Sequence, residues 1–437
     1  LKKKKNKISS ENHFFSLNEK VVGKKTTSKI NNVIYLLKKK KIDYLFISSG
    51  ENVCWLLNIR GKDLPNSPIA NCQVILSKNG LIYFFSNKDK INNIKKKFKN
   101  KKIFFYKEEK FFDILSLIKK GTFCIDFQTC SIFNENLISS KFKIIEKEDP
   151  IYKFKSIKNN IEIKNMIKAH IEDGVALTKF IYWIKNFKNY KLDELMVEKK
   201  LEKFRKQNKN YLYPSFNTIA GSGPNGAIIH YKSDKKTNRR IDKKDLLLLD
   251  SGGQYKWGTT DVTRTITFQK QNNNIKKLYT RVLKGHIAVA LCDIKYEVNG
   301  NNIDKKARKS LNLVGLDYSH GTGHGVGFFL NVHEGPQSIS KNNFIKLKEG
   351  MIVSNEPGYY LENKLGIRIE NLVFIKKKKK KLYFENLTFA PLEKDLIDER
   401  MLTKKEKNYL FKYHLDTYSK LSPFLNQNEK KWLAKLI

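Results

Sequence analysis

The segment Asp245–Phe268, DLLLLDSGGQYKWGTTDVTRTITF, constrains this chain more than any other. Two β-rich runs flank a turn around Tyr255-Lys256-Trp257-Gly258, which predicts a hairpin. That hairpin places Asp250 roughly opposite Asp261, and cross-strand partners point to one face. Asp250 follows four leucines, so its carboxylate ends a buried strand. An unpaired charge there is too costly to keep, so the carboxylate needs a partner or a cation. One Asp alone would be read as satisfying turn amides. For two on one face, that reading and a cation site stand level.

Histidines gather further along. His320-Gly-Thr-Gly-His324-Gly-Val-Gly is followed by Asn331-Val-His333-Glu334-Gly-Pro, so three of the eight histidines fall within fourteen positions. The glycines let the backbone approach a ligand closely. Imidazoles in such a setting can ligate metal or donate hydrogen bonds to developing charge. Two carboxylates come next. Glu356 ends an expected strand, Met351–Asn355, and Pro357-Gly358 breaks it. Glu370 lies in GIRIEN, Gly366–Asn371, where strand alternation puts Arg368 and Glu370 on one face and Ile367 and Ile369 on the other. An Arg two residues before a carboxylate can orient it by a bidentate contact. Four carboxylates and one imidazole form a set rich in hard oxygen donors. Such a set suits paired Mn²⁺ or similar ions better than a closed structural zinc site.

A length of 437 residues calls for two domains. Residues 1–26 read as a basic, polar tail without the apolar core of a secretory signal. From there to 150 an α/β pattern is expected: a helix Ile30–Lys41, a strand Ile42–Ser48, strands Gln73–Leu76 and Leu81–Ser86 hinged at Asn79-Gly80, and strands Ile103–Tyr106 and Phe123–Asp126. This domain holds no clustered acid, base or ligand, so its role is structural. The boundary is placed near Asp149-Pro150. Beyond it, Ile161, Ile163, Met166, Ile167 and Ile171 trace an apolar helical stripe, and residues 402–437 read as two amphipathic helices forming an extension of the second domain, 151–437.

Composition narrows the function. The net charge of +43 would attract nucleic acid non-specifically, but the lysines and asparagines are scattered and no binding fold accompanies them. No specific nucleic-acid role follows. No apolar run reaches the length of a membrane span, so no membrane role is expected. The five cysteines form no CxxC pair, which argues against a disulfide framework and fits free thiols in a reducing cytosol.

The sequence also resembles the Xaa-Pro aminopeptidases (aminopeptidase P) of the creatinase/methionine-aminopeptidase pita-bread superfamily. The matching residues are GPNGAIIHY (Gly223–Tyr231), DSGGQYKWGTTDVTRT (Asp250–Thr265), HGTGHGVGFFLNVHEGP (His320–Pro336), NEPGYY (Asn355–Tyr360) and GIRIEN, joined by LTFAPLEKDLID (Leu387–Asp398), NYLFKYH (Asn408–His414) and, in the first domain, WLLNIRG (Trp55–Gly61). The nine-residue step from His324 to His333 is similar to the longer, cytosolic three-domain branch.

The resemblance implies an α+β fold: a creatinase-like N-terminal α/β domain, 27–150, followed by a pita-bread catalytic domain, 151–437. It implies metal ligation by Asp250, Asp261, His324, Glu356 and Glu370. It assigns His230, His320 and His333 to substrate binding and transition-state support, and Arg368 to a place behind the ligands. The implied activity is hydrolysis of the N-terminal Xaa-Pro bond by a hydroxide bridging two divalent ions, Mn²⁺ first and Co²⁺ or Zn²⁺ as alternatives, with Glu356 moving the proton. Peptides with proline at position two are the implied partners, in a cytoplasmic homodimer. Two departures stand out. NEPG replaces the commoner DEPG, so Asn355 differs beside a ligand, and the resemblance starts after the first domain of that branch. Prolidase, catalytically dead binding modules of the same fold and a basic nucleic-acid scaffold are the competing readings.

Overall fold

The computed structural model describes residues 13–99, 102–187, 191–294, 298–379 and 381–437. The chain divides into two compact units, Leu1–Lys155 and Ser156–Ile437.

The first unit is built on a six-stranded sheet in the order Ile103–Tyr106, Ile82–Phe85, Gln73–Ser77, Tyr44–Ile47, Thr122–Ile125, Lys143–Glu146. The two central pairings are antiparallel and the outer ones parallel. Phe46, Ile75, Phe85, Phe111 and Phe123 fill its core. Each expected strand is present, Ile103–Tyr106 at its expected bounds and the others within two residues of theirs; Lys143–Glu146, half exposed and flanked by lysines, carried too little apolar signal to be read. Two of the unit's helices start where a small polar residue caps them, Ser49 before Gly50–Leu57 and Ser131 before Ile132–Ser139.

The expected tail is corrected from His13 onward. Phe15–Ser16 pairs antiparallel with Ile59–Arg60, a short helix Glu19–Val22 is capped by Asn18 and Gly23, and Phe14, Leu17 and Val22 are buried. Three apolar side chains at the right spacing anchor this stretch, although the lysine run Lys2–Lys5 before it and Lys24-Lys25 after it give residues 1–26 a basic average. Residues 1–12 lie outside the described part.

The second unit opens with a long helix, Asn160–Lys185, started by a capping box between Asn159 and Glu162. Met166 is buried, while Ile167 and Ile171 pack against Phe389 and Leu421. Ile161 departs from the expected stripe: it is 40% exposed in the first helical turn. A three-stranded sheet joins Ile219–Ser222, Leu246–Ser251 and Val262–Thr267. A five-stranded sheet runs Glu334–Ile339, Gly323–Gly325, Ile352–Asn355, Asn371–Lys378, Lys381–Asn386. The hairpin Gly358–Leu361 with Leu365–Arg368 falls in sequence between Ile352–Asn355 and Asn371–Lys378 of the larger sheet.

Helices Asn273–Ala290 and Gly300–Asn312 bury Tyr279, Val282, Leu283 and Leu311 with Ile367 and Ile369 of the sheet region. Leu246 to Leu249 are at most 3% exposed; a buried leucine of this kind contributes about 1.5–3 kcal/mol. The core therefore fixes where the following Asp250 must sit. The C-terminal extension forms the two expected helices, Lys404–Leu421 and Gln427–Ala434. No helix among the described residues is long and apolar enough to cross a membrane.

Candidate metal centre

Each of the five acidic and imidazole candidates lies at or beside a strand terminus. Asp250 is the next-to-last residue of Leu246–Ser251 and Asp261 immediately precedes Val262–Thr267. His324 is the middle residue of Gly323–Gly325, Glu356 follows Ile352–Asn355, and Glu370 lies between Leu365–Arg368 and Asn371–Lys378. Strand ends free a side chain from the sheet while the ladder still fixes its backbone. Register refines one expectation: Asp250 pairs with Thr263, so Asp261 sits diagonally from it, on the same face, not directly opposite.

These five residues line one cavity of about 460 Å³, together with His230, His320, His333 and Arg368. Asp261, His324 and Glu370 each offer a donor atom within 4.8 Å of the other two. His324 Nε2 stands 3.4 Å from Asp261 Oδ2 and 3.4 Å from Glu356 Oε1. Its other nitrogen, Nδ1, lies 3.0 Å from the Gly325 carbonyl. A carbonyl only accepts, so Nδ1 carries the proton and the Nε2 lone pair is turned toward the carboxylates, as ligation requires. The glycine before His324 is needed for a steric reason: a Cβ at Gly323 would come within 1.9 Å of the Ser354 carbonyl oxygen.

The carboxylates are only half satisfied by the protein. Thr263 donates to Glu370 Oε2 at 2.8 Å and Ser354 to Glu356 Oε1 at 2.9 Å. Asp250 Oδ1 and Glu370 Oε1 are buried with no hydrogen-bond partner among the described residues. Bare buried oxygens are rare in folded proteins unless something else pairs with them. Burial, then the neighbouring Asp250 and Glu356 charges, pushes Asp261 well above the ordinary carboxylate range; burial, then Asp261 and Glu356, does the same to Glu370. Asp250 is also raised by burial, although Arg368 opposes the shift. Glu356 moves the other way. Burial pushes it up, but His324, His320 and Arg368 outweigh that and hold it below its ordinary value. Clustered oxygen donors that repel one another, with orphan atoms turned inward, match the requirements of divalent cations.

Arg368 does not contact the ligand expected from spacing. Its Nη2 bonds Asp250 Oδ2 at 2.6 Å, its Nη1 reaches the Tyr360 hydroxyl at 2.6 Å, and its Nε reaches Thr263 Oγ1 at 3.2 Å. The reason is geometric. Arg368 ends its strand and Glu370 lies past it, beside Thr263, so the guanidinium crosses to the neighbouring strand.

His320 is engaged on both ring nitrogens, Nδ1 with Gly321 O at 2.8 Å and Nε2 with Tyr360 Oη at 2.8 Å. His333 packs edge-on against His324 at 4.2 Å between ring centres. Burial and the adjacent His324 lower it to about 4, and burial also lowers His320, so both rings are neutral at pH 7. His230 stands exposed at the rim.

Sequence reasoning missed the residues that hold this set from behind. Tyr360 carried a signal: two residues after Gly358 in a hairpin whose register pairs Gly358 with Arg368, it must share that face. Asp173, on the long first helix, carried none. Its Oδ1 accepts from Arg205 Nε at 2.7 Å and Tyr255 at 2.8 Å, and its Oδ2 from Thr260 at 2.9 Å, while Arg205 also reaches Ser251 at 3.1 Å. Thr260 adjoins Asp261 and Ser251 adjoins Asp250, so one buried ion pair braces both aspartates.

The fold and this donor set together define a metallohydrolase of the peptidase kind. Residues 164–377 match the model of metallopeptidase family M24, residues 5–162 the creatinase/prolidase N-terminal domain, and residues 380–436 the C-terminal region of peptidase M24. The chain is 38% identical over 446 residues to Xaa-Pro aminopeptidase 1 of Dictyostelium discoideum, covering 98% of this chain and 71% of that protein. To aminopeptidase P2 of Arabidopsis thaliana it is 38% identical over 432 residues, covering 89% of this chain and 61% of that one. Among solved structures, an X-prolyl aminopeptidase from Caenorhabditis elegans, described as a cytosolic enzyme with a di-nuclear active site, superposes with a TM-score of 0.91 at 29% identity, covering 97% of this chain and 72% of that one. The prolidase of Pyrococcus furiosus gives 0.66 at 27%, covering 81% of this chain and 98% of that one. The chain belongs to metallopeptidase family M24, in its Xaa-Pro aminopeptidase branch.

Proposed function

We propose that this protein is a metal-dependent aminopeptidase that hydrolyses the N-terminal Xaa-Pro bond of peptides. Asp250, Asp261, His324, Glu356 and Glu370 would hold two divalent cations, Mn²⁺ first, with Co²⁺ and Zn²⁺ as alternatives. The observation that carries this reading is the pair of bare buried oxygens, Asp250 Oδ1 and Glu370 Oε1, inside a cluster of four carboxylates and one imidazole with its lone pair turned inward. The cations would supply water activation near neutral pH and polarisation of the scissile carbonyl.

The chain's own residues do the rest. Glu356, kept ionised by the Arg368 charge and the Ser354 hydroxyl that donates to it, accepts the proton released as water attacks the carbonyl of residue one and delivers it to the prolyl nitrogen. His333, neutral at the working pH, donates to the developing oxyanion. His230 at the rim contacts the peptide beyond the first residue, while His320, already bonded on both nitrogens, acts as a wall or exchanges its Tyr360 contact for substrate. Phe216, Ile219 and Ile229 give the cavity an apolar side suited to a proline ring. Prolyl selectivity follows because a tertiary amide has no N–H to offer ordinary main-chain recognition, which leaves ring shape as the handle.

We also place the enzyme in the cytoplasm as a homodimer, by its resemblance to the Xaa-Pro aminopeptidases. The test is peptidase assay of metal-stripped protein with Mn²⁺, Co²⁺ and Zn²⁺ returned separately, on an Xaa-Pro-Yaa tripeptide and an Xaa-Pro dipeptide. Metal-restored release of the first residue from the tripeptide is expected. Cleavage of the dipeptide alone would make the protein a prolidase, and no cleavage with any ion would end the peptidase reading.

A further inference from the structure

His230 rides on a loop that no sheet supports. The chain leaves strand Ile219–Ser222, makes the tight turn Gly223–Ala227, brings Ile229 to Lys232 to the cavity and returns at Arg239–Ile241. A connection this long stays mobile unless something specific holds it. One buried side chain does so at four points.

Glu194, in the first turn of helix Glu194–Arg205, has no solvent exposure. Its Oε1 accepts from the Ser222 amide at 2.8 Å and from Asn225 Nδ2 at 3.0 Å. Its Oε2 accepts from the Tyr231 hydroxyl at 2.7 Å and from the Arg239 amide at 2.9 Å. These contacts fall at the loop's entry, its turn, the neighbour of His230 and its exit. The Arg239 guanidinium turns away to Asp245 at 3.2 Å, so the carboxylate is held by backbone amides, a side-chain amide and a phenol. Only an acceptor on both atoms fits four donors, which a carboxylate is and a carboxamide is not. Burial, with Glu194 beside it, raises the Tyr231 phenol to about 12, so it stays a donor. On the far side the turn is pressed against the hairpin strand: a Cβ at Gly366 would stand 1.7 Å from the Gly226 carbonyl oxygen. The loop is gripped from two directions.

The geometry points to Glu194 as the positioning residue for substrate capture: it sets the loop that presents His230 to the peptide, without touching substrate or metal. The inference rests on the aminopeptidase reading and adds to it a separation of labour. Strand ends hold the metal centre, and Glu194 holds the peptide-binding rim. Loss of Glu194 acts on KM and leaves the chemical step in place.

The experiment uses the full metal-loaded chain and the variant Glu194→Gln, with Glu194→Asp, which keeps both acceptors but shortens their reach, as its replacement if the first does not fold. Kinetics on an Xaa-Pro-Yaa tripeptide, metal content and hydrogen exchange across 222–239 are measured together. Expected are a KM raised about tenfold or more, the worth of one or two lost charge-assisted bonds, a kcat within about threefold of the parent, unchanged metal content and lost protection in the loop. In the double variant with His230→Ala, KM should rise no further than with His230→Ala alone. A lower melting temperature with unchanged KM, a fall in kcat alone, or additive effects in the double variant would overturn the assignment. If the parent chain cleaves no Xaa-Pro peptide, the aminopeptidase reading fails, and the exchange measurement still judges the clamp: retained loop protection in the variant overturns it, lost protection upholds it.

Discussion

Arg368 and Asp250 are joined by a single 2.6 Å contact that occupies Oδ2 and leaves Oδ1 bare. The guanidinium thus fixes the rotation of the carboxylate and, by its charge, favours the ionised form that binds a cation. It does so from a fully buried position that also holds Tyr360.

Arg368→Gln should therefore lower metal affinity before it lowers anything else. A loss of about 10–100-fold is the usual cost of removing such an outer partner. Titration of the stripped variant with Mn²⁺, followed by calorimetry, reads it directly, and an affinity equal to the parent's would show that Asp250 needs no orientation.

Metal removal should give the protein a distinctive pH response. Asp261 and Glu370 stand above their ordinary values in the metal-free fold. A carboxyl raised in this way favours the folded state below about pH 4, its unfolded value, and that contribution is lost as pH rises through the folded value. A bound cation removes the penalty. The melting-temperature difference between metal-loaded and stripped protein should widen as pH rises from about 5 to 8, and a constant difference would contradict the mutual repulsion of these carboxylates.

The Asp173–Arg205 brace should be costly to break from one side. Both residues are at most 3% exposed, so Asp173→Ala leaves a buried guanidinium without its counter-charge, at about 3–5 kcal/mol. Urea unfolding of the metal-free protein measures this. A loss below about 1 kcal/mol would mean that the network closes around the gap.

His170 should make the catalytic unit acid-sensitive. Burial lowers it from 6.5 to about 4; its Nδ1 donates to the Met166 carbonyl at 2.7 Å and Nε2 has no partner among the described residues. A depressed imidazole binds its proton in the unfolded chain first, so stability is full above about pH 6.5 and falls as pH drops toward 4, by about 3 kcal/mol for this one group. His170→Phe should flatten that part of the stability curve, and an unchanged acid limb in denaturant titrations would remove His170 as its source.

Much of the site was legible because its chemistry is carried by unusual residues in unusual places. A carboxylate after four leucines and histidines set among glycines are local facts, and each of these side chains faces the same cavity. Arg368 and Asp173 were harder for one reason: their partners lie 118 and 87 positions away, respectively, at Asp250 and Thr260. Glu194 opens a helix, and nothing in its neighbours marks the loop that folds over it, whose contacts lie 28 to 45 positions away. In the first unit, Phe14 and Leu17 were masked by surrounding lysines because averaged composition hides single anchors.

The sequence by itself determined most strands of the first unit, the two C-terminal helices, the donor types and the family, because periodicity and motif are written in neighbouring residues. Tertiary structure alone decided which oxygens are left bare, which nitrogen of His324 faces inward, and which buried ions hold the ligands and the loop. Those outcomes depend on distances between residues remote in the chain, which only the packed core sets.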